Sequence, residues 1–318
     1  MEKLDNILVG ILEGGISEER EISHLSAENV YCALRRQGVK SVRLDINTDD
    51  EERIKRILSG KEIDVAFIAL HGRFGEDGRI QTILEELKVP YTGSAPYASY
   101  LAMDKIASKR AFLKNKIPTP PFFVLERKRL PPEFNLTFPL VVKPHFSGSS
   151  IGVGIIKGED KFDEALEEAF RWGEKVIIEE YIEGRELTVG ILEEKPLGVV
   201  EIKYQKDFFD FYTKYEDENV FFLAPAKLEG RIYKRVQEVA LLAHKTLGCR
   251  DFSRVDIRLD KENNPFVLEV NSIPGLTSHS LLPLSAKCCG IKFDELIKRM
   301  LILALSRAKS WFYEKKYI

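Results

Sequence analysis

The chain has 318 residues, of which 44% are hydrophobic and 31% charged, with a formal net charge of −2. This length exceeds one ordinary domain and leads us to expect two or three, with ample core. The charge balance gives no case for nucleic-acid or membrane binding, no apolar run reaches transmembrane length, and Met-Glu-Lys-Leu-Asp-Asn is not a signal-peptide start, so a cytoplasmic location is expected.

Residues 7–12 form an apolar run that ends in Glu13-Gly14-Gly15, and Ser17-Glu18-Glu19 then opens a helix. A serine cap with acids in the first turn matches the positive end of a helix dipole. A strand at 41–46, a polar helix at 49–58 and an apolar strand at 65–70 complete a βαβ rhythm, which implies a parallel sheet covered by helices. Ligands in such sheets collect beyond the carboxyl ends of the strands, where Glu19 and His71-Gly72-Arg73 fall. The Gly14-Gly15 turn is no dinucleotide fingerprint, because G-x-G-x-x-G is absent.

A long helical pattern runs from about 96 to 116 and ends at Pro118, Pro120 and Pro121. Short strands at 122–125, 140–144, 152–157 and 176–182, with a helix at 160–172, then suggest a small α+β unit of mostly antiparallel sheet. Between two of those strands lies the small-residue loop from His145 to Gly154. Its backbone can approach a ligand closely, successive N–H groups can form an anion-binding nest, and Lys143 offers a point charge. The Walker pattern is absent, so the loop reads as a hairpin flap, with an ordinary surface loop as the alternative.

Strands at 187–192 and 198–204 follow, then an aromatic and charged stretch at 206–218 that carries Lys214-Tyr215 and would serve as a mobile lid. A helix at 231–247, a hairpin and a C-terminal helix at 291–309 complete the chain. Four cysteines, Cys32, Cys249, Cys288 and Cys289, lack C-x-x-C spacing and read as reduced thiols.

The hairpin, strands 252–259 and 265–271, concentrates the chemistry. Alternation places Arg254, Asp256 and Arg258 on one face, and Glu269 and Asn271 share a face of the partner strand. A two-residue turn at Glu262-Asn263 sets Asp256 opposite Glu269 and Arg254 opposite Asn271, with opposed Cβ atoms ~5 Å apart. Two facing carboxylates and an amide carbonyl suit a hard divalent cation. A solvated face whose acids pair with Arg254 and Arg258 is the alternative.

Taken in order, several segments resemble the ATP-grasp enzymes and, within them, the D-alanine–D-alanine ligases. They are Gly14 to Ser23, Ala69 to Gly72 with Gly75-Glu76-Asp77-Gly78, Tyr91 to Ser94, Met103-Asp104-Lys105, and Gly148 to Gly152. Lys214-Tyr215, Arg254-Val255-Asp256, Glu269-Val270-Asn271 and the run from Pro274 to Leu281 complete the set. The resemblance spans nearly the whole chain. It implies an N-terminal parallel α/β substrate-binding domain at 1–102, followed by a two-lobed ATP-grasp unit. The first lobe, with the phosphate flap, is 103–184, and the second, with the metal site and lid, is 185–318; overall the fold is α/β and α+β multidomain.

The resemblance further implies that Lys105, Lys143 and Lys214 contact phosphates and that Glu179, Glu180, Tyr181, Ile182 and Glu186 bind adenine and ribose. Asp256, Glu269 and Asn271 carry over as ligands of two Mg²⁺ (or Mn²⁺) ions. Glu19 would hold the ammonium of a first D-alanine, His71 belongs with it in the substrate site, and Ser280 with the Leu281 N–H would hold the second D-alanine's carboxylate. Arg254 and the Gly275 N–H match an oxyanion, while Glu19, Ser149 and Tyr215 resemble a trio that ties flap and lid over the site. The implied product is D-alanyl-D-alanine, formed with ATP as co-substrate by a cytoplasmic homodimer. Rival readings are another ATP-grasp carboxylate–amine ligase, a D-alanine–D-lactate ligase, which generally lacks the lid tyrosine present at Tyr215, and a non-catalytic nucleotide-binding module.

Overall fold

The computed structural model describes residues 4, 6–126, 135, 137–204, 220–277 and 280–314, and within them the strands form three sheets. The first is parallel, with β1 (Leu8–Gly14) between β2 (Lys40–Ile46) and β3 (Val65–Ile68). β1 is buried from Val9 onward and β3 throughout, which is why both read as continuous apolar runs instead of alternating ones. Helices α1 (Arg20–Arg36) and α2 (Glu51–Ser59) make the crossovers, and α3 (Arg79–Glu86) follows β3.

The expected serine cap on α1 is not formed. Ser17 stands ahead of the cap position: its Oγ accepts from Glu19 N at 3.3 Å and donates to the His71 carbonyl at 2.8 Å, which ties the end of β3 to the start of α1. Glu19 occupies the cap position without a side-chain cap bond, which leaves its carboxylate directed elsewhere. The helical pattern at 96–116 is likewise two helices, α4 (Pro96–Met103) and α5 (Lys105–Lys114). Asp104 leaves the helical region at ψ 98°, and its Oδ1 accepts from Ile106 N (2.9 Å) and Ala107 N (3.0 Å). The break sets Lys105 at the first position of α5.

The second sheet comprises β4 (Phe122–Leu125), β5 (Leu140–Pro144), β6 (Gly154–Ile156) and β7 (Val176–Glu180), all antiparallel in the order β4-β7-β5-β6 and covered by α6 (Phe162–Arg171). Its core, from Leu125 to Ile178, contains only residues of this unit. The third sheet is antiparallel in the order β10-β9-β8-β11-β12, with β8 (Gly184–Leu192), β9 (Lys195–Lys203), β10 (Phe221–Leu223), β11 (Phe252–Asp260) and β12 (Pro265–Asn271). α7 (Gly230–Thr246) packs against it, and α9 (Phe293–Glu314) lies against α1.

α8 (Leu281–Cys288) was not foreseen from the sequence. It seats against β8 and β9 at two glycines: a Cβ on Gly190 would lie 2.7 Å from Leu282 Cδ1, and one on Gly198 2.2 Å from Cys288 Cβ. The first and third sheets share a core in which Ile11 and Phe67 pack with Leu192, Phe252, Leu282 and Leu296. Phe112 and Ile117, at the end of α5, pack with Val255 and Val270 in a second core of the third sheet.

The hairpin pairs Arg254 with Asn271 and Asp256 with Glu269, as expected. The route to that register differs from the expected two-residue turn. The turn has three residues, 261–263, closed by Asp260 N to Asn264 O and Asn263 N to Asp260 O (both 3.1 Å), with Asn263 at φ 62°. A bulge at Leu268 restores the register, because Ile257 pairs with Val267 while Asp256 pairs with Glu269. The extra residue also changes the facing of β12, so Val267 and Val270 are both buried while Leu268 and Glu269 both line the cleft.

An ion pair between a half-buried arginine and a buried aspartate fastens the C-terminal helix. Arg307 on α9 contacts Asp251 and donates to the Tyr91 carbonyl at 2.6 Å, outside both principal cavities. Burial raises the Asp251 pKa against the opposing pull of Arg307. Replacing Arg307 by Met leaves that carboxylate without its main partner, and we expect a loss of about 2 kcal/mol in urea unfolding.

Candidate active site

Two cavities meet between the sheets, with open volumes of about 870 and 800 Å³, and share Glu186, Asp256 and Glu269. The first is lined by Glu19, His71 and Glu76 from the carboxyl ends of β1 and β3, by the end of the hairpin, and by Gly275, Ser280 and Leu281. The second is lined by Lys105, Lys143, the segment 179–182, Arg258 and Leu268.

Glu19 is 7% exposed, and its Oε1 accepts from Ser149 Oγ in the flap. Two glycines make room for that carboxylate: a Cβ on Gly72, at φ 70°, would lie 2.6 Å from Glu19 Oε2, and one on Gly148 2.8 Å from it. Tyr215 and Lys214, with the lid at 206–218, lie outside the described residues. His71 lines the cavity, but both ring nitrogens are engaged. Nδ1 lies 3.1 Å from the Ile273 carbonyl and Nε2 2.8 Å from Ser26 Oγ, which also accepts from Leu276 N at 3.1 Å. A carbonyl only accepts, so Nδ1 is the donor there, and the ring acts as a strut beneath the 273–276 loop. Ser280 Oγ accepts from Thr277 N at 2.9 Å and does not cap α8, whose first-turn N–H groups therefore keep no side-chain cap.

At the hairpin the protein's own cations neutralise the facing acids. Arg254 is bidentate on Asp256, with Nε to Oδ1 at 2.9 Å and Nη2 to Oδ2 at 2.7 Å. Thr188 Oγ1 (2.7 Å) and Asn271 Nδ2 (3.1 Å) complete the shell of Asp256, and Lys105 Nζ lies 3.1 Å from Glu269 Oε2. The pairing of Arg254 with the acid, given above as the alternative reading, is thus the geometry observed. Two carboxylates and an amide oxygen form an oxygen-only donor set that already accommodates positive charge, and it fits a hard divalent ion. Among the described residues no group of three His, Cys, Asp or Glu side chains converges, so the Asn271 amide is needed as the third donor.

On the other side a buried chain of charges runs along the cavity wall. Lys143 Nζ donates to Glu179 Oε1 at 2.6 Å, and Lys109 Nζ stands 2.8 Å from Glu179 Oε2, donating its better-aligned hydrogen bond to Thr119 Oγ1 at 2.6 Å. Burial pushes Lys109 down to about 8 against the attraction of Glu179. Burial opposes charge on Glu179 too, but Lys109 and Lys143 together outweigh it and hold its pKa below the ordinary value. Arg258 donates to the Ile182 carbonyl (3.0 Å), Tyr181 Oη (3.1 Å) and Glu186 Oε2 (3.2 Å), and so shapes the whole 181–186 segment. Tyr204 Oη donates to the same Glu186 oxygen at 2.6 Å. Glu180 and Tyr181 join this wall through backbone N–H bonds to Pro121 O (3.0 Å) and Pro139 O (3.1 Å).

Sequence reasoning missed Lys109, Thr188, Tyr204, Leu268 and this use of Arg258. A signal existed for Lys109, which stands one helical turn after Lys105 on the same face of α5. None existed for Leu268, whose exposure to the cleft follows from the bulge.

Two substitutions test the buried chain. Glu179→Gln leaves two buried ammonium groups without their counter-charge, and denaturant unfolding is expected to show a loss of about 3–5 kcal/mol. Lys109 has a folded pKa lowered from 10.5 to about 8, so across that window the unfolded state binds more protons and this lysine's contribution to stability improves as pH rises. The stability difference between the parent and Lys109→Met should therefore change between pH 8 and 10.5 and stay constant from pH 6 to 7.5; a flat difference throughout excludes a lowered Lys109 pKa.

Residues 46–94 match the family model described as D-ala D-ala ligase N-terminus, and residues 112–302 match D-ala D-ala ligase C-terminus. The D-alanine–D-alanine ligase of Geotalea uraniireducens is 42% identical over 306 residues, covering 96% of this chain and 97% of its own. That of Citrifermentans bemidjiense is 43% identical over 303 residues, covering 95% and 97%. Among solved structures, the D-alanine–D-alanine ligase of Bacillus anthracis superposes with a TM-score of 0.84 at 35% identity, over 96% of this chain and 99% of that one. The same organism's enzyme complexed with ATP gives 0.81 at 32% identity. The chain belongs to the D-alanine–D-alanine ligase family.

Proposed function

We propose that the protein joins two D-alanine molecules into D-alanyl-D-alanine for peptidoglycan precursors, converting ATP to ADP and phosphate through a D-alanyl phosphate. The observation that carries this reading is the meeting of two cavities at Asp256 and Glu269, one lysine-walled and one with Glu19 facing the uncapped start of α8. A related structure is complexed with ATP, which supports the lysine-walled cavity as the nucleotide site. For this purpose we divide the chain into 1–102, 103–184 and 185–318. Family resemblance supports a homodimer paired through the first of these, and a cytoplasmic setting. No described helix is long and apolar enough to cross a membrane.

In this reading Lys105, Lys143 and Lys214 bind the phosphates, while 179–182 and Glu186 hold adenine and ribose. Mg²⁺ or Mn²⁺, when bound by Asp256, Glu269 and Asn271, supplies positive charge to the triphosphate. Glu19 holds the first D-alanine by its ammonium, with His71 supporting the opposite wall. That substrate's carboxylate attacks the γ-phosphorus, ADP departs, and the acyl phosphate remains. The second D-alanine sits with its carboxylate at Ser280 and the Leu281 N–H, where the α8 dipole favours an anion. Its amine attacks the carbonyl carbon, Arg254 and the Gly275 N–H stabilise the oxyanion, and phosphate leaves. Ser149 and Tyr215 join Glu19 in closing the site, and closure keeps water from hydrolysing the acyl phosphate.

Phosphate release from Mg-ATP should depend on D-alanine and be accompanied by dipeptide. Release no greater with D-alanine than with L-alanine, D-lactate or no acceptor contradicts the proposal. Removing one oxyanion donor with Arg254→Met is expected to lower kcat about 10²–10³-fold. Glu19→Gln should raise KM for the first D-alanine far more than KM for ATP; equal rises remove Glu19 as the ammonium holder.

A further inference from the structure

The loop between β3 and α3 carries Gly75-Glu76-Asp77-Gly78, and three of these four residues are occupied in building it. A Cβ on Gly75 would lie 2.3 Å from the Leu70 carbonyl oxygen, and one on Gly78, at φ 91°, 2.4 Å from that of Pro96, so both positions need glycine. Asp77 Oδ2 accepts from Phe74 N at 2.9 Å and its Oδ1 from Arg79 N at 3.2 Å, while Gln81 Nε2 donates to the Gly75 carbonyl at 2.7 Å. The side chain of Glu76 has no part in this scaffold. Its backbone N–H closes the turn onto Gly72 O at 2.9 Å, and its carboxylate, 12% exposed, lines the amino-acid cavity.

The other acids around that cavity are committed. Glu19 binds Ser149, Asp256 binds Arg254 and Thr188, Glu269 faces Lys105, and Glu186 takes Tyr204 and Arg258. Glu76 Oε1 stands 3.6 Å from His71 Nδ1, beyond hydrogen-bond length, and that nitrogen already serves Ile273 O at 3.1 Å. Among the described residues, the cavity therefore presents a largely buried carboxylate on a loop anchored by its neighbours, with the His71 ring 3.6 Å away and no hydrogen bond within the loop.

We propose that Glu76 accepts the proton released by the nitrogen of the second D-alanine as the peptide bond forms, an assignment that rests on the ligation proposed above. Two D-alanines bring two amines into one cavity, and they need opposite treatment. The first is kept as an ammonium ion by Glu19 and has no lone pair to attack with. The second enters as the free amine, and its lone pair forms the C–N bond while the carbonyl π electrons move to oxygen. The nitrogen then bears positive charge and is strongly acidic, and its proton passes to the Glu76 carboxylate. The oxyanion collapses, the bond from carbon to the phosphate oxygen breaks, and phosphate departs with that electron pair. Glu76 finally returns the proton to solvent.

The test uses a nucleophile whose adduct needs no enzymic base. Hydroxylamine is a much weaker base than the amine of an amino acid, so after it captures D-alanyl phosphate the charged nitrogen passes its proton to water and D-alanine hydroxamate reports the first half-reaction alone. With full-length protein, Mg-ATP and D-alanine, Glu76→Gln is expected to lower kcat for dipeptide about 10²-fold or more while hydroxamate formation keeps the parent rate. Glu76→Asp should recover part of the dipeptide rate. Retained hydroxamate formation also shows that the variant is folded. The assignment is overturned if Glu76→Gln makes dipeptide at the parent rate, or if both products fall by the same factor. A parent that makes neither product overturns the ligation itself, and Glu76's role with it.

Discussion

Asp256 and Glu269 face each other across β11 and β12, and the organisation of the cleft follows from that opposition. Two like charges ~5 Å apart repel by about 3 kcal/mol at an effective dielectric constant near 20. The protein meets the cost with cations from two different elements. Arg254 comes from two residues along the same strand, where alternation returns it to the same face. Lys105 comes from the first position of α5, which exists only because Asp104 breaks the preceding helix. Lys105 also donates to the Ser147 carbonyl at 2.6 Å, so the hairpin, the helix start and the flap are joined through one ammonium group.

The same charge logic continues one turn along α5. Lys105 and Lys109 share a helical face, yet the first reaches the hairpin acid and the second the fully buried Glu179. With Lys143 on the other oxygen, the buried cluster carries one carboxylate against two amines. Its surplus positive charge lies along the wall that lines the second cavity. Such a cluster is a poor source of net stability, since desolvation offsets most of the attraction. Its value lies in orientation, because Lys143 is fixed by a carboxylate that is itself fixed from behind.

What could be read from the sequence followed physical regularity. The parallel βα order was legible because fully buried strands are continuously apolar, and the pairing of Asp256 with Glu269 because strand periodicity is two. That register was obtained from the wrong turn. The three-residue loop shifts the strands by one position, and the bulge at Leu268 shifts them back. No residue type marks that bulge, so neither the turn nor the cleft-facing Leu268 was foreseeable. α8 escaped notice because it has no side-chain cap, the Ser280 hydroxyl accepting from Thr277 N. Lys109 and Arg258 were hidden by the ordinary expectation that long cations face solvent.

The distribution of cores shows which part of the molecule is free to close. The first and third sheets share apolar packing and form one body, whereas the second sheet keeps a core of its own. The flap meets that body through polar bonds, from Ser149 to Glu19 and from Lys105 to the Ser147 carbonyl, and through the ring of Phe146 beside Tyr100 of α4, with centroids 5.7 Å apart. Such contacts break and re-form with little apolar surface exposed, so motion of the flap costs less than sliding a shared core. Where the second sheet joins that body the chain is fastened by buried hydrogen bonds. Thr119 Oγ1 accepts from Lys109 and donates to the Val267 carbonyl at 2.8 Å, and Val267 N bonds to Pro118 O at 2.8 Å. The buried lysine thus stands between the bulge that sets the Asp256–Glu269 register and the strand that carries Glu179. A cleft that must open for two substrates and then exclude water needs both features, a lightly held rim and a firmly bonded junction.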